Sequence, residues 1–443
     1  MSRDDHKEPP VVIAGGGWAG LAAAVELSAA GVPVLVLESA RQLGGRARGV
    51  RFGKMAVDNG QHLLIGAYRE TLRLLALIGQ REEAVLLRRP LQLRVHGTDS
   101  TLDLKTPPLL PAPLHLGWGL LTAGGLPLRD RWRALTMSLR LRLGNFSLAE
   151  DLSVAALLSQ HRQTPQLIEQ LWEPLCLAAL NTPTKQASAE VFLRVLRDSF
   201  NYARRDSDLL IPRQDLGILF PHAAFDFIEQ HGGLVHLNQR VSALVTDNNR
   251  IAGVTVDDQL IAARAVIVAT SPRVASRLLV PHPALRETST QIEQLIHEPI
   301  VTVYLRYPGG CQLELPMEGM GGTVAQWLFD RRVCGQEGVI GAVISGSGPH
   351  LELDNQTLSR QIAEELASRY RSWPAPLESQ VIREKRATFR CEVGINARRP
   401  SVTTSLNGLW LAGDYTDTRY PATLEGAVRS GVQCAQEIIT RSA

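Results

Sequence analysis

Three glycines near the start of the chain, Gly15, Gly17 and Gly20, stand at the spacing that brings backbone against a pyrophosphate. Gly15 permits a tight turn, Gly17 leaves room for the phosphates, and Gly20 lets a helix pack closely, with Trp18 and Ala19 between the last two. Glu38 follows 18 residues after Gly20, with Ser39 beside it, where an acid accepts hydrogen bonds from a ribose 2′-hydroxyl. Such an acid favours an unphosphorylated ribose, as in NAD or FAD. A second glycine turn carries Gly45 and Arg46, and a polar cluster follows at Asp58-Asn59-Gly60-Gln61-His62. Far downstream lie Gly413-Asp414 and Tyr420-Pro421-Ala422-Thr423-Leu424. Asp58, His62 and Tyr420 are the side chains in this set able to move a proton.

The elements around these residues read accordingly. Val11 to Ala14 is an apolar strand, an Ala-rich helix runs from about Trp18 to Ala30, and Val34 to Leu37 is a second strand ending at the acid. The helix points an N-terminus worth about half a positive charge at the phosphates. The 58–62 cluster lies between apolar runs and predicts a loop reaching into a cleft, although Asp58 and Asn59 also suit a simple turn. A helix follows from roughly Tyr68 to Ile78, and Pro174 and Pro183 are expected to bound a short apolar helix. Val241 to Val245 and Ile251 to Val256 read as strands joined by an Asp247-Asn248-Asn249 turn, and Ala265 to Ala269 as a buried parallel strand returning to the nucleotide sheet. Ile300 to Leu305 and Val339 to Ile344 add strands, with a helix near Leu358 to Arg371. Gly408 to Asp414 ends the chain's last strand, and the final helix opens within 420–427. Asp414 suits a polyol hydroxyl, and that helix's N-terminus suits negative charge on a reduced flavin ring.

At 443 residues the chain exceeds the size at which one core stops growing, so two domains are expected. Hydrophobic content of 44% with 21% charged residues describes an ordinary globular protein. The net charge is +3, and the 42 Arg against five Lys read as a bias over solvated faces, with no nucleic-acid partner implied. Five cysteines without a CxxC suggest reduced cytoplasmic thiols, and eleven histidines without ligand spacing suggest no metal. No GxSxG elbow occurs. The N-terminal MSRDDHKEPP is unlike the basic start of a secretory signal. Residues 109–126 lack formal charge but contain Pro111 and Pro113, so a straight membrane-spanning helix is excluded. Arg129, Arg131, Arg133, Arg140 and Arg142 follow among Trp132 and several Leu. That stretch suits either a membrane interface or a lid packed on protein.

Both chain ends together resemble the FAD-dependent amine oxidase and phytoene desaturase superfamily. The matching residues are Gly15-x-Gly17-x-x-Gly20, Glu38, Gly44-Gly45-Arg46-x-Arg48 and Gly413-Asp414. Within it the chain is most similar to the hydroxysqualene dehydroxylases, through 58–68, 174–183, 384–389 and 420–431. The resemblance implies an α/β fold: a discontinuous Rossmann-like FAD-binding domain (1–70, 215–280 and 395–443) and a mixed sheet-and-helix substrate domain (71–214 and 281–394). It implies FAD with its pyrophosphate at Gly15 to Gly20, ribose at Glu38, adenine near the Val241 backbone and ribityl near Asp414. The isoalloxazine would lie between Arg46, Gly60 to His62 and Ala422 to Leu424. The implied reaction removes the hydroxyl of hydroxysqualene, a C30 isoprenoid, using reduced FAD, to give squalene for hopanoid synthesis beside the other enzymes of that route. His62, Asp58 and Tyr420 are candidate proton donors. An insoluble substrate places the protein on the cytoplasmic face of the inner membrane. No second nucleotide fold is visible to receive a nicotinamide reductant, so the electron donor is open. A carotenoid or phytoene desaturase and a non-redox prenyl-lipid carrier are the competing readings, while 5% aromatic content argues against the aromatic cage of an amine oxidase.

Overall fold

The computed structural model describes residues 8–442; the charged segment before residue 8 lies outside them. Its organising element is a five-stranded parallel sheet, ordered Leu234–His236, Val34–Leu37, Val11–Ala14, Ala265–Val268 and Leu409–Leu411. Val11 pairs with Val34 on one side and Ala265 on the other, so the central strand is buried on both faces and apolar throughout. Strands from both ends and the middle of the chain thus meet in one sheet, as the apolar runs at 11–14, 265–268 and 409–411 led one to expect.

Two helices cover one face. Trp18–Ala29 follows the first strand, and Leu424–Ser442 closes the chain against it. Gly431 makes that contact close: a Cβ there would lie 2.1 Å from the Ala19 carbonyl oxygen. The closing helix also serves the helix Arg69–Leu77, which has no side-chain cap of its own. Glu425 accepts hydrogen bonds from the Thr71 N–H (2.9 Å) and the Glu70 N–H (3.2 Å), a carboxylate where two orphan donors and the helix dipole favour one.

A second sheet of seven strands runs Glu378–Phe389, His297–Arg306, Val339–Ser345, Trp327–Asp330, Met317–Met320, Gln92–His96 and Thr101–Lys105. One face packs Val301, Val303, Leu328 and Ile340 on Leu358, Ile362 and Leu366 of the helix Asn355–Arg369. The other face, with Ile300, Met317, Trp327, Phe329 and Val343, looks back toward the parallel sheet.

Helices between residues 114 and 200 roof this second face. Pro174 stands in the first turn of a short apolar helix, as expected, but the chain is already helical when it reaches it. A π-helical turn at Ile168–Trp172 runs directly into Glu173–Leu180, and its wider hydrogen-bond spacing accommodates a residue with no N–H. The stop is set by Asn181, which turns left-handed at φ 49°, two residues before Pro183.

Candidate active site

Between the two sheets lies one cavity of roughly 870 Å³. Its nucleotide end is walled by Gly15, Gly17, Trp18, Ala19 and the stretch from Glu38 to Gln42. Gly15 adopts φ +113°, and a Cβ on Gly20 would lie 2.0 Å from the Gly15 oxygen, so both must lack side chains. A Cβ on Gly17 would meet nothing nearer than Gly45 Cα at 3.9 Å: the space above it is open. An open groove at a helix N-terminus, floored by glycine, fits a pyrophosphate. Glu38 is oriented by the N–H groups of Gly16 and Ala40, each 2.7 Å from one of its oxygens, and its remaining lone pairs face the cavity for ribose hydroxyls. Trp18 ties the helix to the second glycine turn by donating to the Ala47 carbonyl at 3.2 Å.

At mid-cavity three remote stretches meet. Arg46 donates to Asp414 and to the Ala387 carbonyl, both at 2.5 Å. Gly60, Gln61 and His62 form the facing wall, and Ala422, Thr423 and Leu424 complete it at the start of the closing helix. Buried Arg399 holds the loop between Asp414 and Tyr420 by donating to both residues' carbonyls, at 2.9 and 2.7 Å. His62 Nδ1 lies 2.5 Å from the Gly60 oxygen; a carbonyl only accepts, so Nδ1 carries the proton and Nε2 is bare. Burial pulls the His62 pKa down, against the pull of Asp58, which leaves the ring neutral at neutral pH.

Tyr420 also lines the cavity, but its hydroxyl is given to Asp198. Its ring lies between the guanidiniums of Arg194 and Arg429, 5.5 and 4.1 Å away, and burial pushes the phenol well above its usual range. For Asp198, burial raises the carboxyl while Tyr420, Arg194 and Arg197 lower it further, so it is held ionised.

Of the residues singled out from sequence, three stand off the cavity wall. Gly20 acts in packing. Val241 opens its strand at Val241–Asp247 and is not among the lining residues. Asp58 is the correction: it is fully buried behind the loop, where one oxygen accepts from the Leu216 N–H (2.7 Å) and the other from Arg331 (3.0 Å). It therefore cannot hand a proton to anything in the cavity. Arg331 bridges on to the Gln61 side chain at 2.8 Å and braces the loop from behind.

Sequence reasoning missed Arg331, Asp198 and Asn181. Asn181 Nδ2 donates to Thr388 (2.9 Å) and to the Pro299 carbonyl (3.2 Å), joining the roof to the second sheet beside the cavity. Its place before Thr182-Pro183 was a readable helix stop. Nothing local distinguishes Arg331 among 42 arginines.

Beyond mid-cavity the walls turn apolar, with Leu175 and Ala179 from one helix, Phe192 and Leu196 from the next, and the sheet face below. A smaller cavity of roughly 70 Å³ shares Leu91, Leu93, Leu175, Leu196 and Phe200 with the first and continues beneath Leu116, Leu120 and Leu141. These last belong to the helices Leu114–Thr122 and Leu128–Leu143. Their outer surface exposes Leu114, Trp118 (55%), Leu128, Trp132 (57%), Leu139 and Leu143, beside exposed Arg129, Arg140 and Arg142, and Leu109 in the turn before them is 93% exposed. Among the described residues no helix is long and apolar enough to cross a membrane.

The family model of the flavin containing amine oxidoreductases matches residues 18–439. The chain belongs to that family. FAD is accordingly the cofactor of this flavoprotein. A hydroxysqualene dehydroxylase of Sinorhizobium fredii is 28% identical over 96% of this chain and 97% of its own length. The zeta-carotene desaturase of Capsicum annuum is 24% identical, over 97% of this chain and 80% of its own length. Among solved structures, the cyclohexylamine oxidase of Brevibacterium oxydans superposes with a TM-score of 0.71 at 16% identity, covering 98% of this chain and 99% of that one. The amine oxidase-like fold expected from the two chain ends is therefore present in this flavin-dependent oxidoreductase.

Proposed function

We propose that the protein is an FAD-dependent hydroxysqualene dehydroxylase, reducing hydroxysqualene to squalene. One observation carries the reading: the flavin groove opens into a largely apolar cavity, which suits a C30 hydrocarbon. Likeness over nearly full length to a hydroxysqualene dehydroxylase supports it. The desaturase reading rests on a more distant and less complete likeness.

Bound FAD, once reduced, supplies the hydride. The protein's residues do the rest. Gly15 to Gly20 and Glu38 hold the nucleotide, and Arg46 with Asp414 fixes the middle of the cofactor. Gly60 to His62 and Ala422 to Leu424 enclose its ring. Phe192, Leu196, Trp327 and Phe329 exclude water from the isoprenoid, which matters because an allylic cation in water is captured. His62, neutral and with Nε2 free, accepts a hydrogen bond at the cavity wall.

The apolar outer surface of 109–143 docks on the cytoplasmic face of the membrane, with its arginines at anionic headgroups and its tryptophans at headgroup depth. A substrate costing about 0.8 kcal/mol per exposed methylene then passes from bilayer to cavity without crossing water. The test is anaerobic: chemically reduced holoprotein is mixed with hydroxysqualene, and flavin reoxidation is followed together with squalene formation. Reoxidation matched by squalene is expected. A flavin that stays reduced with hydroxysqualene, or an oxidised flavin that is bleached by phytoene, refutes the reading.

A further inference from the structure

Cleaving a C–O bond to release water requires an acid at the departing oxygen, and none of the sequence candidates can serve as one. Asp58 is sealed behind the loop, the His62 N–H is spent on the Gly60 carbonyl, and the Tyr420 hydroxyl is spent on Asp198.

Four carboxylates line the cavity: Glu38, Asp198, Glu384 and Asp414. Three are committed. Glu38 is held by two backbone N–H groups, Asp198 by Tyr420 with Arg194 and Arg197, and Asp414 by Arg46. The side chain of Glu384 alone makes no hydrogen bond or close ion pair among the described residues. It is half-buried on the strand Glu378–Phe389, whose register sets it directly opposite Ile300, another cavity-lining residue. Arg46 lies close enough to interact with it, and also donates to Ala387 three residues along the same strand. An uncommitted carboxyl therefore stands where the flavin end of the cavity meets the apolar end.

We propose that Glu384 is the general acid of the reaction, an assignment that rests on the dehydroxylation reading above. The C–O bond breaks with its electron pair on oxygen, the Glu384 carboxyl proton transfers to that oxygen, and water leaves. The allylic cation accepts a hydride, two electrons and one proton's mass, from reduced flavin, which becomes oxidised. The carboxylate left behind faces the cation in an apolar cavity, where their attraction far exceeds its value in water. Glu384 regains its proton from solvent on its exposed side.

The test compares wild-type, Glu384→Gln and Glu384→Asp holoproteins, chemically reduced without oxygen, on hydroxysqualene and on the corresponding allylic chloride, whose leaving group needs no proton. FAD content and visible spectrum are recorded for each. Glu384→Gln is expected to slow flavin reoxidation by hydroxysqualene about 100-fold or more while staying within about threefold of wild type on the chloride, with Glu384→Asp intermediate on the alcohol. Equal slowing on both substrates, or no slowing on the alcohol, overturns the assignment. Loss of FAD from Glu384→Gln overturns it too, since the residue then holds the cofactor. A wild-type flavin that hydroxysqualene fails to reoxidise overturns the functional reading itself.

Discussion

Arg331 carries its guanidinium to a position 1% exposed, where Asp58 is its carboxylate partner and Gln61 a second acceptor. A buried pair of this kind contributes little net stability as a pair, but its halves cannot be separated cheaply. Arg331→Met is expected to destabilise the fold by about 3–5 kcal/mol, read as a lower urea midpoint, because the buried Asp58 loses its cationic partner and keeps only the Leu216 N–H. The double variant with Asp58→Asn should recover much of that loss. FAD affinity should fall in both, since Gln61 loses its anchor. An unchanged urea midpoint in Arg331→Met refutes this account. The same pair shows what sequence discloses at this scale. The steric demands at Gly15 and Gly20 were legible because those of a turn are met within a few residues. Asp58 was misread because its partner lies 273 positions away, and a lone carboxylate in a polar cluster looks the same whether it faces a cavity or a salt bridge.

The closing helix does several jobs at once: it covers the parallel sheet, caps a neighbouring helix through Glu425 and presents Ala422 to Leu424 at its start. All depend on its close seat against the first helix. Gly431→Val is expected to cost about 1–3 kcal/mol, because its side chain collides with the Ala19 backbone rather than with a movable side chain. A fall in melting temperature should come with weaker FAD retention, and a variant with unaltered melting temperature would sink the argument. Most elements of the parallel sheet were legible as short apolar runs ending in glycine or acid. The π-helical turn before Pro174 was not, since nothing in 168–172 distinguishes it from an ordinary helix. The strands Gln92–His96 and Thr101–Lys105 also escaped notice. Their alternation is short, and the strand Met317–Met320 that joins them to the large sheet lies more than 200 residues on.

Taken whole, the molecule is polarised, with nucleotide groove at one end, apolar cavity in the middle and an apolar, arginine-edged surface at the other. Replacing Trp118 and Trp132 together by Ser should reduce co-sedimentation with anionic vesicles at least about tenfold, the equivalent of about 1.4 kcal/mol, since each ring has 150–250 Å² to bury. Turnover of detergent-dispersed substrate should stay within about twofold, because neither residue lines the cavity. Vesicle binding unchanged by the double substitution would refute docking through these rings, and no vesicle binding by the wild type would favour the alternative of a lid packed on protein.

The cavity's walls draw on residues from Gly15 to Ala427, with Leu409–Leu411 at the edge of the parallel sheet. During translation the nascent chain consequently offers the glycine groove long before it can offer the surface that closes over it. Cofactor capture is then a late event on the way to maturity, and a polypeptide released before that last helix is made would leave its greasy interior open to chaperones and proteases.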